Sequence, residues 1–206
     1  LKVLAAQGLV ESRQGSGLYV RNRPIESVSR AITLSVSPDL MSVDRLFEFR
    51  KLLEMDAARL ATVRATSEQI AELESTVAGY QPAPDGGPNW DSFAPVDNAL
   101  HAQIAEAAGN PFLAVMVESV RTLMQDIVPL IADHPGSIDE AMRQHHAIRA
   151  AIAAGDAEGA ARAMGEHVDY TSQVVHIQAE SLGQVEEQLS GTSLSAARPH
   201  SVQRRS

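Results

Sequence analysis

The chain has 206 residues, enough for a sizeable core, and its 44% hydrophobic and 21% charged residues are the composition of an ordinary globular protein. It contains no cysteine, which excludes a disulfide framework and thiolate metal sites, so any transition-metal site must draw on histidine and carboxylate. The net charge of −9 conceals a basic head: in residues 1–24, Lys2, Arg13, Arg21 and Arg23 stand against Glu11, a net +3 that hints at nucleic-acid contact at one end.

Leu1, Leu4 and Ala5 have helical spacing, and Gly8 is placed to end that helix. The runs "LVESR" and "LYVRN" read as short strands joined by "QGSG", where Gly15 and Gly17 permit a tight hairpin. A helix running directly into a small hairpin is the back half of a winged helix-turn-helix; the same spacing equally describes an ordinary surface hairpin.

Beyond "RNRP" every segment reads as helix or loop. In "RLFEFRKLLEMDAARLATVRA" the residues Leu46, Phe49, Leu53, Ala57, Leu60 and Val63 form one helical stripe. Thr66 and Gln69 have capping-box spacing, and Glu68 suits the positive end of the helix dipole. "QPAPDGGP" is a loop, followed by a helix from about Asp91 to Ala108 with a bend expected at Pro95. Gly109, Asn110 and Pro111 supply a stop, an N-cap and a first-turn proline in succession. The next helix is expected to reach about Ile131, "ADHPGS" breaks it, and "IDEAMRQHHAIRAAIAA" follows. Gly155 ends that helix, and Asp156 caps a last one running through about Gln178. From Gly191 apolar periodicity is lost, as in a disordered tail. The expected fold is mainly α, an antiparallel bundle of six to seven helices with short connections.

The histidines carry the chemistry. With Gly155–Asp156 as the turn of a helical hairpin, His145 lies ten residues before it and His167 eleven after. At a rise of about 1.5 Å per residue, the two stand level across the pair, roughly 15–17 Å from the turn. His145 shares a face with Met142, Ile148 and Ile152, and His167 with Ala160, Ala163, Met164 and Val174, whereas His146 is rotated toward the rim. Asp97 and His101 are separated by one helical turn. Taken singly, these are a surface ion pair and two core histidines. Taken together, one carboxylate and three imidazoles are a donor set for Zn, Ni, Mn or Fe(II).

"L..L...GLVE.R.GSGLYV" (1–20), "FEFRKLLEMDAARLA" with Arg50 and Glu54, "DNALHAQIAEAAGNPFL" with Leu100 in place of the usual Phe, and "QHHAIRAAIAAGDAEGAARAMGEH" occur in order. In these motifs, over residues 1 to about 178, the sequence resembles the FadR-type branch, carrying the FCD domain, of the GntR family of bacterial transcription regulators. The alignment makes His145, not His146, the family histidine.

The resemblance implies a DNA-binding regulator rather than an enzyme, acting as a homodimer. Apolar runs too short for a membrane span and an N-terminus without a signal-peptide layout make the cytoplasm the default expectation, with no membrane association. The resemblance also implies Asp97, His101, His145 and His167 as ligands of a divalent metal, Zn foremost, with Ni, Mn or Fe as alternatives. A small organic acid would dock on or beside that metal, with Arg50 as the candidate to grasp its carboxylate. The alternative for Arg50 is an ion pair with Glu54, four residues on. Members that bind acyl-CoA lack the metal set, which argues against that effector. The expected domains are residues 1–24, the end of a recognition helix and the wing; 25–182, the effector-binding and dimerisation bundle; and 183–206, a disordered tail. Arg13, Gly15, Ser16 and Gly17 of the wing would contact DNA backbone or minor groove. A complete member has further helices before the position of Leu1, so the chain is expected to be N-terminally truncated and to need those helices for operator binding. The rival reading is a metal-dependent hydrolase or oxygenase, for which His146 is the nearest general base.

Overall fold

The computed structural model describes residues 10–13, 17–20, 28–29, 31–32, 43–125 and 127–195, with side chains described between 28 and 181. Strands β1 (Val10–Arg13) and β2 (Gly17–Val20) pair antiparallel, Val10 with Val20 and Arg13 with Gly17, forming the expected hairpin. The predicted helix over residues 1–8, the turn residues Gly15 and Ser16, and residues 196–206 lie outside the described residues.

Helix α1 (Val43–Arg64) contains neither Gly nor Pro, and places Asp44 in its first turn and Arg64 in its last, matching the helix dipole. Its buried face is Phe47, Arg50, Glu54, Ala57, Ala58 and Ala61. The expected stripe is therefore displaced by about one residue, and Phe49 and Val63 are 37% and 75% exposed. Apolar periodicity misled here because the helix buries a charged pair, while Leu46, Leu53 and Leu60 of the stripe are only partly buried against the core.

Helix α2 (Ser67–Ala78) begins with the predicted capping box: Thr66 accepts from the Gln69 backbone N–H, and the Gln69 side chain accepts from that of Thr66. Helix α3 (Trp90–Ala107) is capped by Asn89, with Pro95 in its second turn. Helix α4 (Pro111–Leu123) starts as expected, with the Asn110 side chain accepting from two backbone N–H groups. It stops well short of Ile131, and a 3-10 turn over Val128–Asp133 takes its place. Pro129 is the physical reason, since its ring removes a donor and clashes with the preceding turn of an α-helix.

Helix α5 (Ser137–Ala153) and helix α6 (Ala157–Ser195) form the expected hairpin. Gly155 turns the chain with φ +74°, and Asp156 accepts from the Gly159 N–H at 2.8 Å. The backbone of α6 stays helical to Ser195, beyond the Gln178 expected from apolar periodicity.

Packing brings α1, α3, α5 and α6 around a common centre. Helix α1 packs tightly on α6, where a Cβ on Gly165 would lie 3.0 Å from the Met55 sulfur. Phe93, Leu100, Ile104, Ile148 and Met164 are fully buried, each contributing about 1.5–3 kcal/mol by removal from water. Near the N-terminus, Ser29 donates to the Ser119 carbonyl on α4 at 3.1 Å. No helix of the described residues is long and apolar enough to cross a membrane.

Candidate metal centre and effector cavity

Three helices deliver the four predicted side chains to one point. Asp97 and His101 come from successive turns of α3, His145 from α5 and His167 from α6, and all four are buried. Their candidate ligand atoms lie within 4.8 Å of one another. Asp97 Oδ1 is 3.3 Å from His145 Nε2, 3.5 Å from His101 Nε2 and 3.9 Å from His167 Nε2. The Nε2 atoms of His101 and His167 are 3.3 Å apart. The helical-hairpin geometry places His145 and His167 level, with ring centroids 4.7 Å apart. His146 is exposed, as the face reading required.

Each group has a distinct surrounding. His145 lies parallel to the Phe93 ring, centroids 5.6 Å apart, and neither of its nitrogens has a hydrogen-bond partner. His167 Nδ1 lies 3.0 Å from Gln144 Oε1, and His101 Nδ1 contacts Glu54 Oε2. Asp97 turns its second oxygen to Arg121, whose Nη2 donates to Oδ2 at 2.6 Å and to Asn98 Oδ1 at 2.8 Å. Arg50 donates from Nε to Glu54 Oε1 at 2.7 Å, so the ion pair that was the alternative role for Arg50 is formed.

Burial would raise the Asp97 carboxyl, but Arg121 and the adjacent histidines outweigh it and hold the group well below the usual carboxylate range. Glu54 behaves alike: burial pushes it up, while Arg50, His101 and Arg121 bring it far down. Burial drives His145 down, and burial with its two histidine neighbours drives His167 well down, so both imidazoles are held neutral, the state in which they donate a lone pair.

Beside Asp97 opens a cavity of about 260 Å³, lined among others by Arg50, Trp90, Asn98, Arg121 and Gln125. Two guanidinium groups in its lining, beside the carboxylates of Asp97 and Glu118, offer donors to an anionic ligand. Arg50 thus lines this cavity while remaining committed to Glu54. Arg121 was not singled out from the sequence; it lies 24 residues from Asp97, on another helix. The contacts of Glu54 with His101 and of Gln144 with His167 were likewise missed, although each residue adjoins one already singled out, Arg50 by one helical turn and His145 by one position.

The chain matches the FCD domain family over residues 45–170. It is 26% identical over 180 residues to the HTH-type transcriptional regulator LutR of Bacillus subtilis, covering 85% of this chain and 81% of that protein. It is 28% identical to the Uxu operon transcriptional regulator of Escherichia coli, covering 84% and 68%. Among solved structures, Streptococcus agalactiae GntR superposes with a TM-score of 0.61 at 26% identity, covering 84% of this chain and 78% of that one. E. coli McbR/YncC superposes at 0.60 and 20% identity (86% and 81% covered), a likeness of fold. LutR and the Uxu operon protein are transcriptional regulators, so the hydrolase or oxygenase reading gives way. The chain belongs to the FCD domain family and is a GntR-family transcription regulator, its helical bundle an effector-binding domain whose Asp/His cluster could hold a metal.

Proposed function

We propose that Asp97, His101, His145 and His167 hold a divalent metal, Zn foremost and Ni, Mn or Fe otherwise, and that a small carboxylate effector occupies the adjoining cavity to modulate operator binding. The observation that carries this is the convergence of four buried donors from three helices, one of them an imidazole with no hydrogen-bond partner at either nitrogen. The spacings also suit an ion: four donors about 2.1 Å from a centre sit about 3.4 Å apart at tetrahedral geometry, against 3.3, 3.3, 3.5 and 3.9 Å between the pairs given above.

A bound ion would supply positive charge and an open position for an effector oxygen. The protein's own part is to grasp the effector carboxylate with Arg50 and Arg121 and to hold Asp97 in place. Arg121 lies on α4 two residues after Ser119, whose carbonyl anchors Ser29. A shift of α4 on effector binding would therefore reach the segment leading to the N-terminal hairpin. In a homodimer this alters the relative placement of two winged domains, provided the effector binds one arrangement more tightly.

The domain layout is taken as residues 1–24 for the wing side, 25–182 for the bundle and 183–206 for the tail, with Arg13, Gly15, Ser16 and Gly17 at the DNA. Operator DNA as partner places the protein in the cytoplasm. The test is elemental analysis of protein purified without a histidine tag, followed by gel shifts of the intact regulator at fixed salt with candidate acids. Near-stoichiometric metal, lost in His145→Ala/His167→Ala, and an acid that changes operator affinity are expected. Absence of metal under all conditions, or indifference to every acid, would overturn the reading.

A further inference from the structure

We propose that Glu54 and Gln144 are positioning residues: each fixes which nitrogen of a neighbouring histidine faces the shared donor point, Glu54 for His101 and Gln144 for His167. The inference rests on the metal reading above.

The tautomers follow from the polar contacts at the two Nδ1 atoms. Gln144 donates from Nε2 to Glu140 Oε1 at 2.9 Å, and a carboxylate can only accept. The amide orientation is thereby fixed, and its oxygen is the atom that faces His167 Nδ1 at 3.0 Å. His167 must carry its hydrogen on Nδ1, leaving Nε2 as a bare lone pair. At His101 the partner of Nδ1 is Glu54, a carboxylate flanked by Arg50 at 2.7 Å and Arg121 at 3.9 Å. That oxygen also accepts, so His101 carries a hydrogen on Nδ1, and as a neutral imidazole it leaves Nε2 bare.

With both rings neutral in these tautomers, the two Nε2 atoms, 3.3 Å apart, each present a lone pair; a hydrogen bond between them would need a hydrogen on one Nε2. Inside a core, an unpaired acceptor is costly, and two that face each other are reconciled by a cation between them. The outer partners are also unequal. His101 leans on an anion and His167 on a neutral amide, whereas His145 has no polar partner at Nδ1 and stacks on Phe93. A carboxylate behind an imidazole raises its basicity, so His101 is the strongest of the three nitrogen donors.

The arrangement makes an uncommon prediction for Glu54→Gln. Arg50 donates and cannot accept, so the new amide must keep its oxygen toward Arg50 and turn its NH2 toward His101 Nδ1. His101 is forced into the Nε2–H form, with the wrong nitrogen facing the donor point. In Arg50→Met/Glu54→Gln the amide is free to rotate, present its oxygen to His101 and restore the tautomer.

The experiment compares the whole wild-type chain with both variants. Two-bond 1H–15N spectra of the metal-free proteins read the histidine tautomers, and chelator competition reads Zn2+ affinity. Expected are Nδ1–H at His101 and His167 in the wild type, Nε2–H at His101 in Glu54→Gln with Zn2+ affinity down about 10–100-fold, and recovery of both in the double variant. An Nε2–H His101 in the wild type would overturn the proposal even if neither variant folds. So would a Glu54→Gln variant that keeps wild-type tautomer and affinity, or a double variant no better than the single. A wild type with the expected tautomers that binds neither Zn2+ nor Co2+ would sink the metal reading and leave the positioning roles standing.

Discussion

Replacing Arg121 by methionine removes the only arginine hydrogen-bonded to Asp97 among the described residues. In the native cluster, two arginines and two carboxylates offset one another. Without Arg121, Glu54 keeps Arg50, but Asp97 has no arginine beside it, and burial holds its neighbours His145 and His167 neutral. Both Asp97 and Arg121 side chains are 8% exposed, so solvent screens the loss poorly. Breaking such a pair costs about 3–5 kcal/mol. For a chain of this size each kcal/mol is about 2–4 °C in Tm, which predicts a fall of roughly 6–20 °C for the chelated protein. A divalent ion at the donor point would give Asp97 a new counter-charge. Saturating Zn2+ is therefore expected to raise the variant's Tm by more than it raises that of the wild type. Scanning calorimetry with chelator and with Zn2+ measures both quantities. A drop below about 2 °C in chelator would refute the claim that this buried pair holds the site together; equal Zn2+ increments would refute the claim that Asp97 faces the ion.

Two further outcomes are expected. Thermal unfolding of the chelated protein should weaken in two stages on acidification. Below the ordinary histidine value of 6.5, the unfolded chain takes up protons at His145 and His167 before the folded chain does, so stability falls as pH drops. The depressed Asp97 and Glu54 carboxyls act with the same sign below their ordinary values of 3.8 and 4.5. His176, raised by its Ser172 carbonyl contact and Asp44, acts in the opposite sense, but its exposed position makes it a minor contributor. A Tm unchanged between about pH 7 and 5.5 would mean the two imidazoles are not buried neutral. Separately, Gly155→Ala should cost about 1–2 kcal/mol in denaturant unfolding, purely from the left-handed backbone, and Gly155→Asn less. At φ +74° a Cβ there meets no atom within 4 Å, so a neutral Gly155→Ala would show that the turn had changed conformation.

The sequence by itself determined what depends on neighbours within a turn or two. Capping at Thr66 and Asn110, the Gly155 turn, the i, i+4 pairing of Asp97 with His101, and the choice of His145 over His146 are local periodicity and local hydrogen bonding, and the structure places each of these as read. Even so, local signals failed where burial and polarity parted company. On α1 the apolar stripe was displaced by about one residue, since Arg50 and Glu54 are buried while Phe49 and Val63 are exposed. A charged side chain is drawn inside only when its partners arrive from other helices, and those partners leave no mark on its own periodicity. Only the tertiary structure decided that Arg121 would meet Asp97, that Glu54 would meet His101, and that Gln144 would reach across to His167. These contacts join α1, α3, α4, α5 and α6, and their strength comes from exclusion of water, a property of the assembled bundle that no single helix possesses.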